Sequence, residues 1–209
     1  MITVRAYSQN PCATLSVPLW KWKNITIPDN LVILHDSNYS HTDWKDHYDE
    51  PYFRLYHGLQ EIAPVTLERY FVRTADKTDI PFVAEIINTC YSDIQMTAEK
   101  LDAITRTPVF DPSLWILAVD KMSKETVGCA IADFDREVGE GILEWVQVLP
   151  QYRKQGLGKL LVTELLNRMQ SKASFATVSG KVNNETKPEK LYRSCGFEGN
   201  DVWHILIKE

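Results

Sequence analysis

A proline-stopped strand running into Arg153-Lys154-Gln155-Gly156-Leu157-Gly158-Lys159 is the stretch of this 209-residue chain with the clearest chemical capacity. Arg-x-x-Gly-x-Gly at the head of an amphipathic helix makes an anion cradle. Two glycines let the backbone approach a ligand closely, the first helical N–H groups have no intrahelical acceptor, and the helix dipole favours negative charge there. Arg153, Lys154 and Lys159 add formal positive charge, so a diphosphate is the natural ligand. The competing reading is a tight turn that binds nothing, and the strand, proline and helix around the glycines weigh against it. Neither common nucleotide motif fits: a P-loop needs a longer gap ending in Gly-Lys-Ser/Thr, and a dinucleotide fingerprint needs a third glycine.

The elements that would position this stretch alternate from residue 69 onward. Arg69 to Arg73 reads as a strand. Asp79 to Tyr91 reads as an amphipathic helix with Ile80, Val83, Ile86 and Ile87 on one stripe and Thr78 or Asp79 as its cap. A second helix covers Thr97 to Ile104. Strands at Trp115–Asp120 and Val127–Phe134 are joined by a hairpin turn, and a third, Ile142–Val148, stops at Pro150. Helix Leu157–Met169, strand Phe175–Lys181, helix Pro188–Cys195 and strand Val202–Ile207 close the chain. This order predicts an α/β fold, a mixed β-sheet flanked by helices. Ahead of it, Pro11, Pro18 and Pro28 predict an extended arm rather than long helices, and Leu31–His35 and Tyr52–Tyr56 read as short strands. The expected organisation is an N-terminal extension of short strands and loops over 1–68, serving an acceptor site or packing, and one domain over 69–209.

Composition excludes several function classes. A net charge of -5 is the wrong balance for a chain that neutralises phosphates along nucleic acid. The longest clean apolar run, Trp115 to Val119, is far short of a membrane span. Met1 to Asn10 shows no secretory apolar region, and Cys12, Cys90, Cys129 and Cys195 show no metal-ligand spacing. The expectation is a cytoplasmic protein with reduced thiols. His35, Asp36, His41, Asp43, Asp46 and His47 include good metal ligands but lack the paired spacing of a zinc site, so no metal is expected. The same aromatic, acidic loop could line a pocket for a cationic amine. Trp20, Trp22 and Trp44 are expected to pack the extension onto the core.

Val148-x-Pro150-x-Tyr152-Arg153-x-x-Gly156-x-Gly158 resembles the acyl-CoA signature of the GNAT superfamily of N-acetyltransferases. Downstream, Leu191-Tyr192-Arg193-Ser194-Cys195-Gly196-Phe197 resembles that family's Leu-Tyr-x-x-x-Gly-Phe motif. The resemblance covers roughly 69–209 and implies a GNAT-like sheet and an acetyl-CoA-dependent N-acetyltransferase. It implies that the main chain of Val146, Gln147 and Val148 bonds the pantetheine arm like an added strand. It implies that amides of the turn Arg153, Lys154, Gln155, Gly156, Leu157, Gly158 and Lys159 hold the pyrophosphate, and that Tyr192 protonates the leaving thiolate. A phenol of pKa about 10 stays protonated at neutral pH and can serve a thiolate whose acid has pKa about 8.5. The other reading of Tyr192 is a helix tyrosine packed on the sheet. The family often carries an asparagine seven residues before this tyrosine; here that position is Glu185, which leaves Asn184 as the candidate for the CoA contact.

An amine attacks only when neutral, and a lysine-like amine has pKa about 10.4, so a base or water relay must take its proton. Glu144 is the candidate base, since even spacing puts its side chain on one face with those of Val146 and Val148. An exposed edge carboxylate is the competing reading, and Asp133 and Asp135 are the alternates. No cysteine stands at a nucleophile position in either motif, which favours direct transfer in a ternary complex over an acetyl-enzyme. The competing function class is a non-catalytic acyl-CoA sensor. The acceptor narrows only to a small-molecule or peptide amine, and the resemblance allows a homodimer.

Overall fold

A computed structural model of the chain describes residues 2–91 and 94–208. Its elements begin with α1 (Val4–Gln9), α2 (Pro11–Thr14), α3 (Leu19–Trp22), β1 (Leu31–His35), β2 (His47–His57) and β3 (Tyr70–Thr74). They continue with α4 (Ile80–Cys90), α5 (Ala98–Ile104), β4 (Trp115–Asp120), β5 (Thr126–Asp135) and β6 (Glu140–Val148). The last are α6 (Leu157–Met169), β7 (Phe175–Lys181), α7 (Pro188–Ser194) and β8 (Glu198–Lys208). The described residues thus form strands flanked by helices, the α/β class that the sequence implies. Packing divides the chain into two units, residues 1–57 with 177–209, and residues 58–176.

Within 58–176 the strand order is β6-β5-β4-β3, with each neighbouring pair antiparallel. Ile80, Val83, Ile86 and Ile87 of α4 and Leu101 of α5 lie against Trp115, Leu117, Cys129 and Ile131, so these two helices cover one face. Helix α6 covers the other, burying Leu157, Leu161, Leu165, Leu166 and Met169. Strand alternation explains the division: Gly128, next to Cys129, turns the opposite way, where an added Cβ would meet Leu161. Each fully buried Leu, Ile or Val contributes about 1.5–3 kcal/mol, which is what holds helices this short in place.

Asp79 does not cap α4 through its side chain. Its carboxylate takes two guanidinium nitrogens of Arg73, at 2.6 and 2.7 Å, and the Asp76 N–H at 2.8 Å. Together Asp76 and Asp79 box the 3₁₀ turn Lys77–Asp79 that leads into the helix. The Arg73 guanidinium holds the Asp79 carboxyl below the usual carboxylate range. A carboxyl with a depressed folded-state pKa adds its full stability above its unfolded value of about 3.9 and loses it as pH falls through the lower folded one. Asp79→Asn is therefore expected to flatten the acid end of a Tm-against-pH curve. A variant curve parallel to that of the wild type would contradict the pairing.

Within 1–57 and 177–209 the order is β1-β8-β2-β7, and β8 runs antiparallel to both β1 and β2. Two strands are longer than expected: Tyr52–Tyr56 falls in the second half of β2, and Val202–Ile207 leaves out the first four residues of β8 and its last. Pro51 cannot donate to a ladder and Asp49 and Glu50 interrupt the apolar pattern. Pairing with β8, from His47 opposite Lys208 to Pro51 opposite His204, holds the first half of β2.

The N-terminal arm is not extended either. The side chains of Thr3 and Asn10 accept the N–H groups of Ala6 and Ala13 and so start α1 and α2. Pro11 opens α2 and Pro18 caps α3, positions where a missing N–H costs nothing. Tyr7, Cys12, Leu15 and Leu19 are this segment's buried anchors. Of the tryptophans expected in that role, Trp22 is 36% exposed and Trp20 and Trp44 are half-buried. Arg54, fully buried on β2, donates to the Tyr7 hydroxyl at 2.6 Å. No helix among the described residues is long and apolar enough to cross a membrane.

Candidate active site

The glycine turn has the shape an anion needs. Lys154 and Gly156 both lie in the left-handed region, at φ +63° and +85°. Gly156 is the N-cap of α6, whose first internal bond runs from the Leu160 N–H to the Gly156 carbonyl. Among the described residues the N–H groups of Lys154, Gln155, Gly156, Leu157, Gly158 and Lys159 meet no acceptor. Lys154 and Lys159 are exposed and make no ion pair among those residues. Arg153 differs from its neighbours. Its amide bonds the Pro150 carbonyl at 3.3 Å, and its Nε donates back to the Val148 carbonyl at 3.1 Å. It therefore closes the strand end, while the donors of the cradle begin at Lys154.

Strand β6 leads into the turn. The Leu149 N–H donates to the Val127 carbonyl at 3.0 Å, which makes Gly128 and Val148 a non-hydrogen-bonded pair. The alternation then gives the Gln147 main chain to Cys129 on β5 and turns the N–H and C=O groups of Val146 and Val148 away from β5. Of the three main chains expected to bond a pantetheine arm, that of Gln147 is engaged within the sheet. The Val148 carbonyl also carries the Cys90 thiol, Sγ at 3.5 Å, beside Arg153.

Glu144 occupies a β-bulge. Ile131 pairs with Trp145 and Ala132 with Leu143, so Glu144 is the extra residue on β6. Counting by twos from Glu144 to Val146 does not carry across a bulge, and the expected shared face loses that support. Glu144 is half-buried, whereas the alternates Asp133 and Asp135 are buried, at 3% and 5% exposure.

Tyr192 and Asn184 belong to the other unit. Tyr192, 8% exposed, sits in the last turn of α7, and the Gly-Phe pair after it terminates that helix. The Phe197 N–H bonds the Tyr192 carbonyl and the Gly196 N–H the Arg193 carbonyl, both at 3.1 Å, with Gly196 at φ +93°. This is a Schellman cap, and its hydrophobic partners are the Tyr192 and Phe197 rings, 5.8 Å apart. Asn184 Oδ1 accepts from the Thr186 N–H and hydroxyl, so that oxygen shapes its own turn.

Of the residues weighed as metal ligands, His35 and Asp36 have other partners. His35 lies 3.0 Å from Asp201, and His204 lies between Asp49 and Asp36, at 2.9 and 3.2 Å. Among the described residues no group of three or more His, Cys, Asp or Glu is placed to hold a metal. Asp43 and Asp46 are exposed. All four cysteines are free thiols; burial pushes Cys90 and, further, the enclosed Cys129 upward in pKa. The residue missed from the sequence is Tyr70, whose hydroxyl donates to Gln155 Oε1 at 2.5 Å from 85 positions away.

Residues 111–199 match the family model described as acetyltransferase (GNAT) domain. No curated protein matches the sequence. Among solved structures, the chain is similar to a GCN5-related N-acetyltransferase from Sphaerobacter thermophilus, with TM-score 0.70 and 18% identity over 90% of this chain and 62% of that one. A Drosophila protein gives TM-score 0.60 at 16% identity, over 77% of this chain and 52% of that one. The ribosomal-protein-S18-alanine N-acetyltransferase from Escherichia coli gives TM-score 0.52 at 18% identity, over 66% and 91%. At these identities the likeness is one of fold. This chain spans less than two thirds of the Sphaerobacter and Drosophila chains.

Proposed function

We propose that this chain, whose residues 111–199 match the GNAT acetyltransferase domain and whose fold is shared with GNAT structures, is a GNAT-superfamily enzyme that moves the acetyl group of acetyl-CoA directly onto a primary amine in a ternary complex. The observation that carries this reading is the run of amides from Lys154 to Lys159 without acceptors, at the head of α6. Six adjacent N–H donors with two exposed lysines suit a diphosphate, the part of acetyl-CoA that such a turn would hold. In this reading residues 69–209 carry the transferase. Residues 1–68 form its extension, whose exposed Asp43 and Asp46 would favour a cationic acceptor.

The co-substrate supplies an acetyl carbon activated as a thioester. Glu144 takes the proton the amine loses, directly or through one water. Tyr192 gives its phenolic proton to the departing sulfur. One C–N bond forms and one C–S bond breaks, and exchange with solvent restores both side chains. Burial keeps the Cys90 thiol protonated more firmly than a free one, which supports direct transfer over an acetylated cysteine. The acceptor is a small-molecule or peptide amine. The Escherichia coli neighbour is named for an alanine of a ribosomal protein, so peptide N-termini join polyamines and amino sugars as acceptors to test.

The test is thiol release from acetyl-CoA, followed with a thiol reagent against those amines. Turnover on at least one amine is expected. Glu144→Gln should lower kcat by about 10²-fold, with part of the loss recovered as pH rises and free amine accumulates. Tight acetyl-CoA binding without turnover on any amine would favour the sensor reading. An unchanged rate in Glu144→Gln would remove that residue from the mechanism.

A further inference from the structure

We propose that Tyr70 is the positioning residue that holds the 154–156 turn in its anion-binding shape before any ligand arrives, an inference that rests on the acetyl-CoA reading of that turn. The turn is not a conformation its sequence prefers. Lys154 is left-handed without being a glycine, and Gly156 follows it in the same region. A left-handed L-residue crowds its own Cβ against the backbone, so something outside the turn must favour that arrangement.

One short segment meets both sides of the strained step. The Tyr70 hydroxyl donates to Gln155 Oε1 at 2.5 Å. Three residues earlier, the Leu67 side chain lies 3.4 Å from where a Cβ on Gly156 would stand. Gln155 is the residue between the two left-handed ones, and its own N–H is one of the cradle's donors. Fixing its side chain fixes the residue that carries that donor.

The brace is itself anchored. Tyr70 is 5% exposed and pairs in register with Asp120 on β4. The Asp120 carboxylate takes Arg69 Nε at 2.7 Å and the Met122 N–H at 2.8 Å, tying the β3–β4 end to its hairpin. The Arg69 guanidinium lies 5.4 Å from the centre of the Tyr70 ring. On the other flank of the turn, Tyr152 donates to Glu125 of the same hairpin at 3.0 Å. A phenol held this way gives the turn one fixed point, so the amides need no rearrangement when a diphosphate binds, and that saving belongs to affinity.

Tyr70→Phe keeps the packed ring and deletes only the bond to Gln155. Calorimetric Kd for CoA is expected to weaken by about 3- to 10-fold, the loss falling on KM for acetyl-CoA and not on kcat. Gln155→Ala should do the same, and the double variant should be no weaker than either single one. In the ligand-free protein, NMR order parameters at 154–156 should fall from a rigid value of about 0.85 in the wild type. An unchanged Kd with unchanged order parameters, or additive losses in the double variant, would overturn the proposal. If the wild type itself binds no CoA, the acetyl-CoA reading fails instead. The order parameters still decide whether Tyr70 braces the turn.

Discussion

Tyr192→Phe is expected to lower kcat by about 10²-fold or more while acetyl-CoA affinity stays at the wild-type level. The substitution separates the packing of Tyr192 from the acid role proposed for it. Its ring is the hydrophobic partner of Phe197 in the cap of α7 and lies 6.3 Å from Phe53. A phenylalanine ring keeps both contacts, so the fold should survive. What it removes is the hydroxyl proposed as the proton donor; a free phenol, of pKa about 10, can protonate a thiolate of conjugate-acid pKa about 8.5. If the variant turned over at the wild-type rate, Tyr192 would be a packing residue and the acid would lie elsewhere. Tyr192→Ala cannot make this distinction, because it also opens the cap.

Gly196→Ala is expected to cost about 2–4 kcal/mol of stability, the sum of a left-handed penalty and overpacking. The residue sits at φ +93°, and an added Cβ would stand 2.9 Å from His57 Nε2. His57 has little room to yield, being 5% exposed with its ring 5.2 Å from that of Phe197. A drop in Tm of several degrees by calorimetry is the expected reading. A Tm within a degree of the wild type would show that His57 moves freely and that the cap tolerates a side chain. The glycine and phenylalanine that mark the family resemblance are, on this account, a helix stop. Their effect on Tyr192 runs through the end of α7.

Much of the 58–176 unit was legible because its elements are long and periodic. Helix α6 falls at the expected bounds, and the Ile80, Val83, Ile86 and Ile87 stripe is the buried face of α4. The N-terminal helices were not legible, since α2 and α3 have four residues each and span too little chain to show a period. There the prolines were read as breakers when they stand at helix starts. The first half of β2 was lost to Asp49, Glu50 and Pro51, whose strand state comes from pairing with a segment more than 150 residues away.

At the candidate site the local features were readable and the long-range ones were not. The unbonded amides follow from Gly-x-Gly at a helix start, and they stand where the motif puts them. The bulge at Glu144 left no trace in the pattern, because a period-two reading has no signal for one inserted residue. The bond from Tyr70 to Gln155 joins an edge strand to a turn 85 positions on, and neither residue type announces it. Arg153 was expected at the ligand by its charge, and its Nε also donates to the Val148 carbonyl five residues back.

In the proposed mechanism the turn from Lys154 to Lys159 holds the diphosphate of acetyl-CoA. The most direct test is an NMR titration of the labelled protein with CoA, following the amide resonances of those six residues. The account predicts saturable shifts concentrated at 154–159, reproduced more weakly by inorganic pyrophosphate. Binding with shifts elsewhere and none in the turn, or no binding at all, would contradict it.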